Sequence, residues 1–126
     1  MTVQIPDPLK RREILYGETS AETLVEHGKA YEEEGKIDEA LQFYTYARDA
    51  DGLRRVKRKA IETGNAFLLK AVARELPDEV GEGDWKMLIT SAEKLGMELY
   101  AEQGRKALEG HLEALEPEEK RGQGKA

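Results

Sequence analysis

Positive charge concentrates in one part of this chain, and it is the first feature that could support binding chemistry. Residues 53–74 hold seven Lys or Arg side chains against one acidic residue, Glu62, although the whole chain has a net charge of -6. Clustered Arg and Lys side chains attract carboxylates and phosphates, and Arg can bond a carboxylate through two N–H groups. The densest part, RRVKRK at residues 54–59, therefore indicates either an anion-binding surface or a solvated helix face.

Apart from the abundant carboxylates, residue types that carry catalysis or bind metals are sparse. The chain has no Cys, which excludes thiolate nucleophiles, disulfides and sulfur-rich metal sites. His27 and His111 are the only two histidines, and we expect His27 to be a partly buried packing residue next to Tyr44. The stretch DADG at residues 49–52 lacks the later acidic ligands of a calcium loop and is interpreted as a helix terminus. The sequence thus predicts no catalytic residue, no metal site and no cofactor, and it favours a protein that is not an enzyme.

The elements that must position any functional side chains are helices. Ala, Leu, Glu, Lys and Arg are abundant and β-branched residues are few, which favours an all-α fold. The T-x-x-E capping box at Thr19 and Glu22 predicts a helix that begins near residue 20. A second helix is predicted to begin at Ile37.

Three glycines divide the helical pattern into hairpins. Gly35, Gly64 and Gly96 each stand between two stretches with apolar residues at helical spacing, so we predict a tight turn at each one. In the last hairpin, Asp84 is predicted to be the N-cap of a helix that begins at Trp85. The predicted core positions after the first hairpin are Leu53, Val56, Ala60, Phe67, Leu68, Ala71, Val72, Leu76, Trp85, Leu88, Ala92, Met97, Tyr100, Ala101 and Leu108.

The first hairpin, residues 21–50, has a distinctive spacing. It reads L-x2-H-G-x2-Y and then A-x3-Y, the last two residues being Ala40 and Tyr44, followed by Ala47. This pattern resembles the tetratricopeptide repeat, a helix-turn-helix unit of about 34 residues with the pattern W-x2-L-G-x2-Y and then A-x3-F. Because helices approach closely only where small side chains face each other, we expect Gly28 to face the second helix at close range.

The resemblance covers the rest of the chain less completely. In the third hairpin, Trp85 and Leu88 occupy the tryptophan and leucine positions, but Ile89 stands where the repeat has glycine. The resemblance implies an all-α, right-handed α-solenoid of about three αα-hairpins. The predicted segments are a flanking N-terminal helix at 1–18, the tetratricopeptide-like domain at 19–115 and a disordered C-terminal tail at 116–126.

The resemblance also implies a use, because such repeats line a concave surface that holds a peptide or helix of a partner protein. Alignment of the turn glycines places Lys29, Arg54, Arg58 and Lys86 at concave positions, where they would form a basic stripe. We therefore expect a non-catalytic adaptor or scaffold that binds an acidic segment of another protein at these four residues. The alternative is a nucleic-acid-associated regulatory protein that uses residues 54–59, which the overall acidity makes the less favoured class.

The remaining expectations concern location and assembly. The sequence has no run of about 18 apolar residues and no segment like a signal peptide, so we expect a soluble, cytoplasmic protein without a membrane partner. A short solenoid can expose apolar surface at its last hairpin, which makes self-association a third alternative.

Overall fold

The computed structural model describes residues 20–115, and this part of the chain is helical. It contains α1 (Ala21–Glu33), α2 (Ile37–Ala47), α3 (Ala50–Thr63), α4 (Ala66–Glu75), a 3-10 turn (Pro77–Glu79), α5 (Glu82–Lys94) and α6 (Glu98–Ala114). None of the described residues forms a β-strand. The predicted all-α class is therefore confirmed.

The chain divides into two compact units, and the boundary between them falls after Arg58, within α3. The first unit contains α1, α2 and most of α3, and the second contains the later helices. Each unit has its own fully buried side chains, such as Phe43 in the first and Leu69 in the second. The predicted flanking helix at 1–18 and the predicted tail at 116–126 lie outside the described residues.

The three predicted turn glycines share one backbone geometry. Gly35, Gly64 and Gly96 all have a positive φ, of 77°, 65° and 70° respectively. This left-handed conformation costs a residue with a β-carbon about 1 kcal/mol or more, whereas glycine adopts it freely. The residue after each glycine donates its N–H to a carbonyl five residues earlier, at 2.8 to 2.9 Å, as in a Schellman motif. The predicted turn at each glycine is therefore confirmed.

The first two helices begin where the sequence predicts. The hydroxyl of Ser20 accepts the backbone N–H of Thr23 at 3.2 Å and so caps α1, which begins at the next residue. The predicted capping box used Thr19, which lies outside the described residues. The second helix, α2, begins at Ile37 as predicted.

Close packing of α1 on α2 depends on one glycine and one tyrosine. Tyr44 on α2 is fully buried, and a β-carbon added at Gly28 on α1 would lie 2.6 Å from its Cε1 atom. Carbon atoms in contact are normally about 3.5 to 4.0 Å apart, so glycine alone fits without displacing the ring. The expected close approach of Gly28 is confirmed. Phe43, which the sequence analysis did not assign to the core, is also fully buried and stacks on Tyr31 at a ring-centroid distance of 5.3 Å.

The stretch DADG at residues 49–52 was predicted to be a helix terminus. Only its first part lies between two helices. Arg48 ends α2 in the left-handed conformation, with φ 55°, and α3 already begins at Ala50. Gly52 therefore lies in the first turn of α3, where an added β-carbon would lie 2.5 Å from two ring atoms of Tyr44. The prediction fails for Gly52, because this glycine serves a helix contact and not a turn.

In the second unit, α5 packs against α6, and the contact depends on Gly104, which the repeat pattern did not predict. Ile89 stands on α5 where the repeat pattern has glycine. Gly104 on α6 faces it, and a β-carbon added there would lie 2.9 Å from Ile89 Cγ1 and 2.9 Å from Leu88 Cδ2. The residue that permits close contact is thus on the second helix of this hairpin instead of the first.

The start of α5 differs from the prediction. The helix begins at Glu82, with Gly81 as its N-cap, three residues before Trp85. Asp84 is not the cap, but its carboxylate accepts the backbone N–H of Gly81 at 2.9 Å from within the first turn. An acidic residue at this position satisfies the N–H of the cap residue. Asp84 was therefore correctly predicted to take part in capping α5, but it lies at the third helical position and not at the N-cap.

The inward face of α4 is shifted from the predicted one. Leu68 and Val72 are buried as predicted, and Leu69 is fully buried although it was not predicted to be. Phe67, predicted to be in the core, is 52% exposed and contacts Tyr100 edge-on at a ring-centroid distance of 5.6 Å. It is a surface contact between α4 and α6 and not a core residue.

Candidate functional site

One polar cluster in the first unit joins side chains from three helices. The hydroxyl of Tyr44 donates a hydrogen bond to Glu32 Oε1 at 2.5 Å. Arg55 Nε donates to the same carboxylate oxygen at 3.1 Å, and its Nη2 donates to the Tyr44 hydroxyl at 3.2 Å. The guanidinium carbon also lies 5.4 Å from the centroid of the Tyr44 ring. These contacts hold α1, α2 and α3 together within the unit.

The cluster stabilises the protonated forms of two of its members. Burial, followed by the hydrogen bond to Glu32, raises the pKa of Tyr44. The hydrogen bond with Tyr44 raises the pKa of Arg55, while burial acts in the opposite direction. A tyrosine that retains its proton and an arginine that retains its charge are poor proton carriers near neutral pH. The cluster is therefore suited to holding the helices in place.

An open pocket of about 350 Å³ lies beside this cluster. Its lining side chains are Lys29, Glu32, Glu33 and Arg55. Because Arg55 is already bonded to Glu32, the pocket presents Lys29 as its exposed cation. Arg54 and Arg58, the predicted neighbours of Lys29, are not among the lining residues.

Two predicted site residues share an exposed face of α3. Arg54 and Arg58 are both exposed, and their spacing of four residues places them on one side of the helix. Arg54 Nη1 forms an ion pair with Asp51 Oδ1 at 2.9 Å, and the Asp51 side chain is 80% exposed. Exposed pairs of this kind are worth at most about 1 kcal/mol, so the pair with Asp51 holds Arg54 only weakly.

The fourth predicted residue lies in the other unit. Lys86 is exposed on α5, and its Nζ forms an ion pair with Glu82 Oε1 at 2.9 Å, one helical turn earlier. The structure thus places Arg54 and Arg58 on one face of the first unit, and the basic stripe that joins them to Lys86 stays a prediction.

The role of Arg55 was not predicted from the sequence, where this residue was counted as one cation of the run at residues 54–59. Arg55 follows Gly52 by three residues, and residues at this spacing share a face of a helix. Both contact Tyr44: Gly52 beside its ring and Arg55 at its hydroxyl. The signal that could have found this role is a glycine inside a helical pattern with a cation one turn later.

His27 packs inside the first unit. Its ring stacks on Phe43 at a centroid distance of 5.7 Å, one position from the expected neighbour Tyr44. Its Nδ1 atom is buried and has no hydrogen-bond partner within the described structure. Burial lowers the pKa of His27, and the charge of Glu26 opposes this shift.

Residues 20–115 offer neither a cluster of metal-ligating side chains nor a membrane-spanning helix. In this range no group of three or more His, Asp or Glu side chains is placed to hold a metal ion. None of the helices there has both the length and the apolar composition needed to cross a bilayer.

Comparison with known proteins finds no match. No protein-family model matches the chain, and neither does any curated protein or solved structure. The resemblance to the tetratricopeptide repeat therefore rests on residue spacing alone, and chiefly on that of residues 21–50.

Proposed function

We propose that this protein is a non-catalytic interaction module that binds an acidic segment of a partner protein through exposed cations. In the first unit these are Lys29 on α1 and Arg54 and Arg58 on α3. The proposal includes the right-handed, tetratricopeptide-like stacking of hairpins, in which the cations line the concave face of an adaptor or scaffold. Lys86 is the corresponding residue of the second unit.

The observation that carries the proposal is the separation of packing residues from charged ones in the first unit. Gly28 and Tyr44 occupy positions that the repeat pattern assigns to helix packing, and both are buried. Arg54 and Arg58 are exposed, and exposed charges contribute little to folding. An acidic ligand is favoured because Arg and Lys form charge-assisted hydrogen bonds with carboxylates, which also accelerate encounter.

The alternative, a nucleic-acid-associated protein that uses residues 54–59, receives less support. Arg55 is held by Glu32 and Tyr44, so the run presents only part of its charge to solvent. Fewer phosphate contacts mean weaker binding. The net charge of -6 also repels a polyanion at a distance.

Partner capture by the full-length protein tests the proposal. The wild-type protein and the double variant Arg54→Glu/Arg58→Glu are used to capture proteins from the native cell extract, and the captured protein is then titrated in purified form. The matched control is Lys59→Glu, which reverses an exposed charge on the same helix. We expect the double variant to weaken binding roughly tenfold or more, because charge-assisted hydrogen bonds are lost, and the control to bind like the wild type.

Two results would count against the proposal. An unchanged affinity in a double variant that melts like the wild type would mean that the exposed face of α3 is not the binding surface. An equal loss in Lys59→Glu, accompanied by retardation of DNA or RNA at low salt, would favour the nucleic-acid alternative. The variant Lys86→Glu separately tests whether the second unit contributes to the same surface.

A further inference from the structure

The second unit contains an open groove of about 540 Å³ that none of the predicted site residues lines. Basic side chains reach it from α4 and α6, and apolar side chains reach it from α5 and from the segment before α5. The side chains that define its chemistry are Lys70, Arg74, Pro77, Val80, Trp85 and His111.

The groove carries charge of one sign. Lys70, Arg74 and His111 are its basic residues, and no described Asp or Glu lines it, although the chain as a whole is acidic. The helix dipole favours basic residues in a last turn, which accounts for Arg74 and His111. It does not account for Lys70, which lies in the middle of α4. Lys70 Nζ donates to Gln103 Oε1 at 3.2 Å, so its position beside the groove is fixed.

The floor of the groove is apolar. Val80 and Trp85 are 2% and 4% exposed, so only their edges reach the groove, and Pro77 adds a further apolar side. An apolar side chain laid on this floor would be removed from water, which favours binding. Carboxylates on either side of it would lie near the cations of α4.

We propose that this groove binds a short acidic peptide segment of a partner protein, with one apolar side chain on the floor formed by Val80 and Trp85. Carboxylates of the segment pair with Arg74, which can bond one through two N–H groups, and with Lys70. This site is independent of the function proposed above, because it uses none of Lys29, Arg54 or Arg58.

The combination of floor and charge favours a peptide over other anions. A phosphate group or a nucleic-acid backbone would use the cations but would gain nothing from an apolar floor. A flat anionic surface would also meet Glu75 and Asp78, which are exposed and adjacent in sequence to Arg74 and Pro77. A narrow peptide segment that presents carboxylates and an apolar side chain uses the cations and the apolar floor together, and it does not meet Glu75 and Asp78.

The test uses the only tryptophan of the chain as a local reporter, since Trp85 lies in the floor of the groove. The full-length protein is titrated with a synthetic peptide of alternating Glu and Leu, without aromatic residues, while tryptophan fluorescence is recorded. We expect a saturable change in fluorescence. Arg74→Glu and Lys70→Gln should each weaken binding, the first roughly tenfold, because a charge-assisted contact is lost.

The controls separate this site from general charge attraction. Lys94→Glu reverses an exposed charge in the last turn of α5, away from the lining residues, and should leave the affinity unchanged. A peptide with Gln in place of Glu, and one with Ser in place of Leu, should both bind more weakly. Circular dichroism and melting of each variant establish that it is folded, and Arg74→Gln replaces Arg74→Glu if the reversal unfolds the unit.

Three outcomes would overturn the proposal. They are equal weakening by Lys94→Glu, undiminished binding of the Ser-containing peptide, and tighter binding of duplex DNA or anionic lipid vesicles with the same fluorescence change. The double variant Arg54→Glu/Arg58→Glu should bind the Glu-Leu peptide at Trp85 as the wild type does. Failure of this site and failure of the function proposed for the first unit are therefore distinguishable.

Discussion

Gly28 on α1 lies so close to Tyr44 on α2 that the tyrosine ring fills the space beside its α-carbon, where a β-carbon would lie 2.6 Å from Cε1. Gly52 on α3 approaches the same ring equally closely. The fully buried ring is thus accommodated by two residues that have no side chain. The packing of the first unit therefore requires glycine at both positions as well as the tyrosine ring.

The first prediction concerns the space at Gly28. Gly28→Ala should lower the free energy of unfolding by about 1 to 3 kcal/mol, because the added methyl group overpacks the contact with Tyr44. Gly110→Ala is the control, since Gly110 lies in α6 and, among residues 20–115, no atom outside the adjoining helix backbone lies within 4 Å of the added β-carbon. There the substitution should stabilise the protein by about 0.5 to 1 kcal/mol through helix propensity. Denaturant unfolding measures both, and a stabilising Gly28→Ala would contradict the packing described.

The second prediction concerns the hydroxyl of Tyr44. Tyr44→Phe keeps the buried ring but removes the hydrogen bond to Glu32 and the acceptor for Arg55, so it should destabilise the protein by about 1 kcal/mol. Tyr46→Phe removes a hydroxyl from a tyrosine that is 50% exposed and should have a smaller effect. Equal effects in urea unfolding would show that the cluster does not stabilise the unit.

The third prediction compares two turn glycines with similar backbone angles. Gly35→Ala introduces only the left-handed strain, because no atom of the described residues beyond its chain neighbours lies within 4 Å of the added β-carbon, and should cost about 1 to 2 kcal/mol. Gly64→Ala adds a collision with the backbone of Ala92, whose nitrogen and α-carbon would lie 2.7 Å away. Gly64→Ala should therefore lower the melting temperature clearly more than Gly35→Ala. The reverse order would mean that α5 can move away from this turn at little cost.

The fourth prediction follows from the lowered pKa of His27. Its ordinary value is 6.5, so below that pH the unfolded chain binds a proton more readily than the folded protein does. The free energy of unfolding should fall as the pH drops from about 6.5 to the lowered pKa of the folded state, and His27 should contribute nothing to this change at higher pH. His27→Phe should remove this part of the acid loss, whereas His111→Gln should retain it. Denaturant unfolding across the acid range checks the comparison, and identical pH dependence in the wild type and His27→Phe would contradict it.

Local backbone requirements of the fold were readable from the sequence. The turns at Gly35, Gly64 and Gly96 were predicted because glycine between two helical patterns has few other uses, and each has the expected positive φ. The start of α2 at Ile37 was also correct. These features depend on a few neighbouring residues, so they are visible without knowledge of the tertiary contacts.

Features that depend on contacts between helices were predicted less well. Phe67 and Leu69 are both apolar and lie two residues apart on α4, and periodicity alone did not show that Leu69 faces inward while Phe67 stays half exposed. The roles of Gly52 and Arg55 likewise depend on Tyr44, which lies on another helix. The groove beside Trp85 combines residues from α4, α5 and α6, and no local pattern connects them.

The contact between Ile89 and Gly104 affects how this hairpin compares with the tetratricopeptide pattern. The large and small residues have exchanged helices in this hairpin, so a position-by-position consensus counts Ile89 as a mismatch and gives no credit to Gly104. The combined volume of the two facing side chains nevertheless suits a close helix crossing. A comparison that scores facing residues as pairs would count a glycine on either helix of a hairpin, whereas a position-by-position comparison counts it on only one of them.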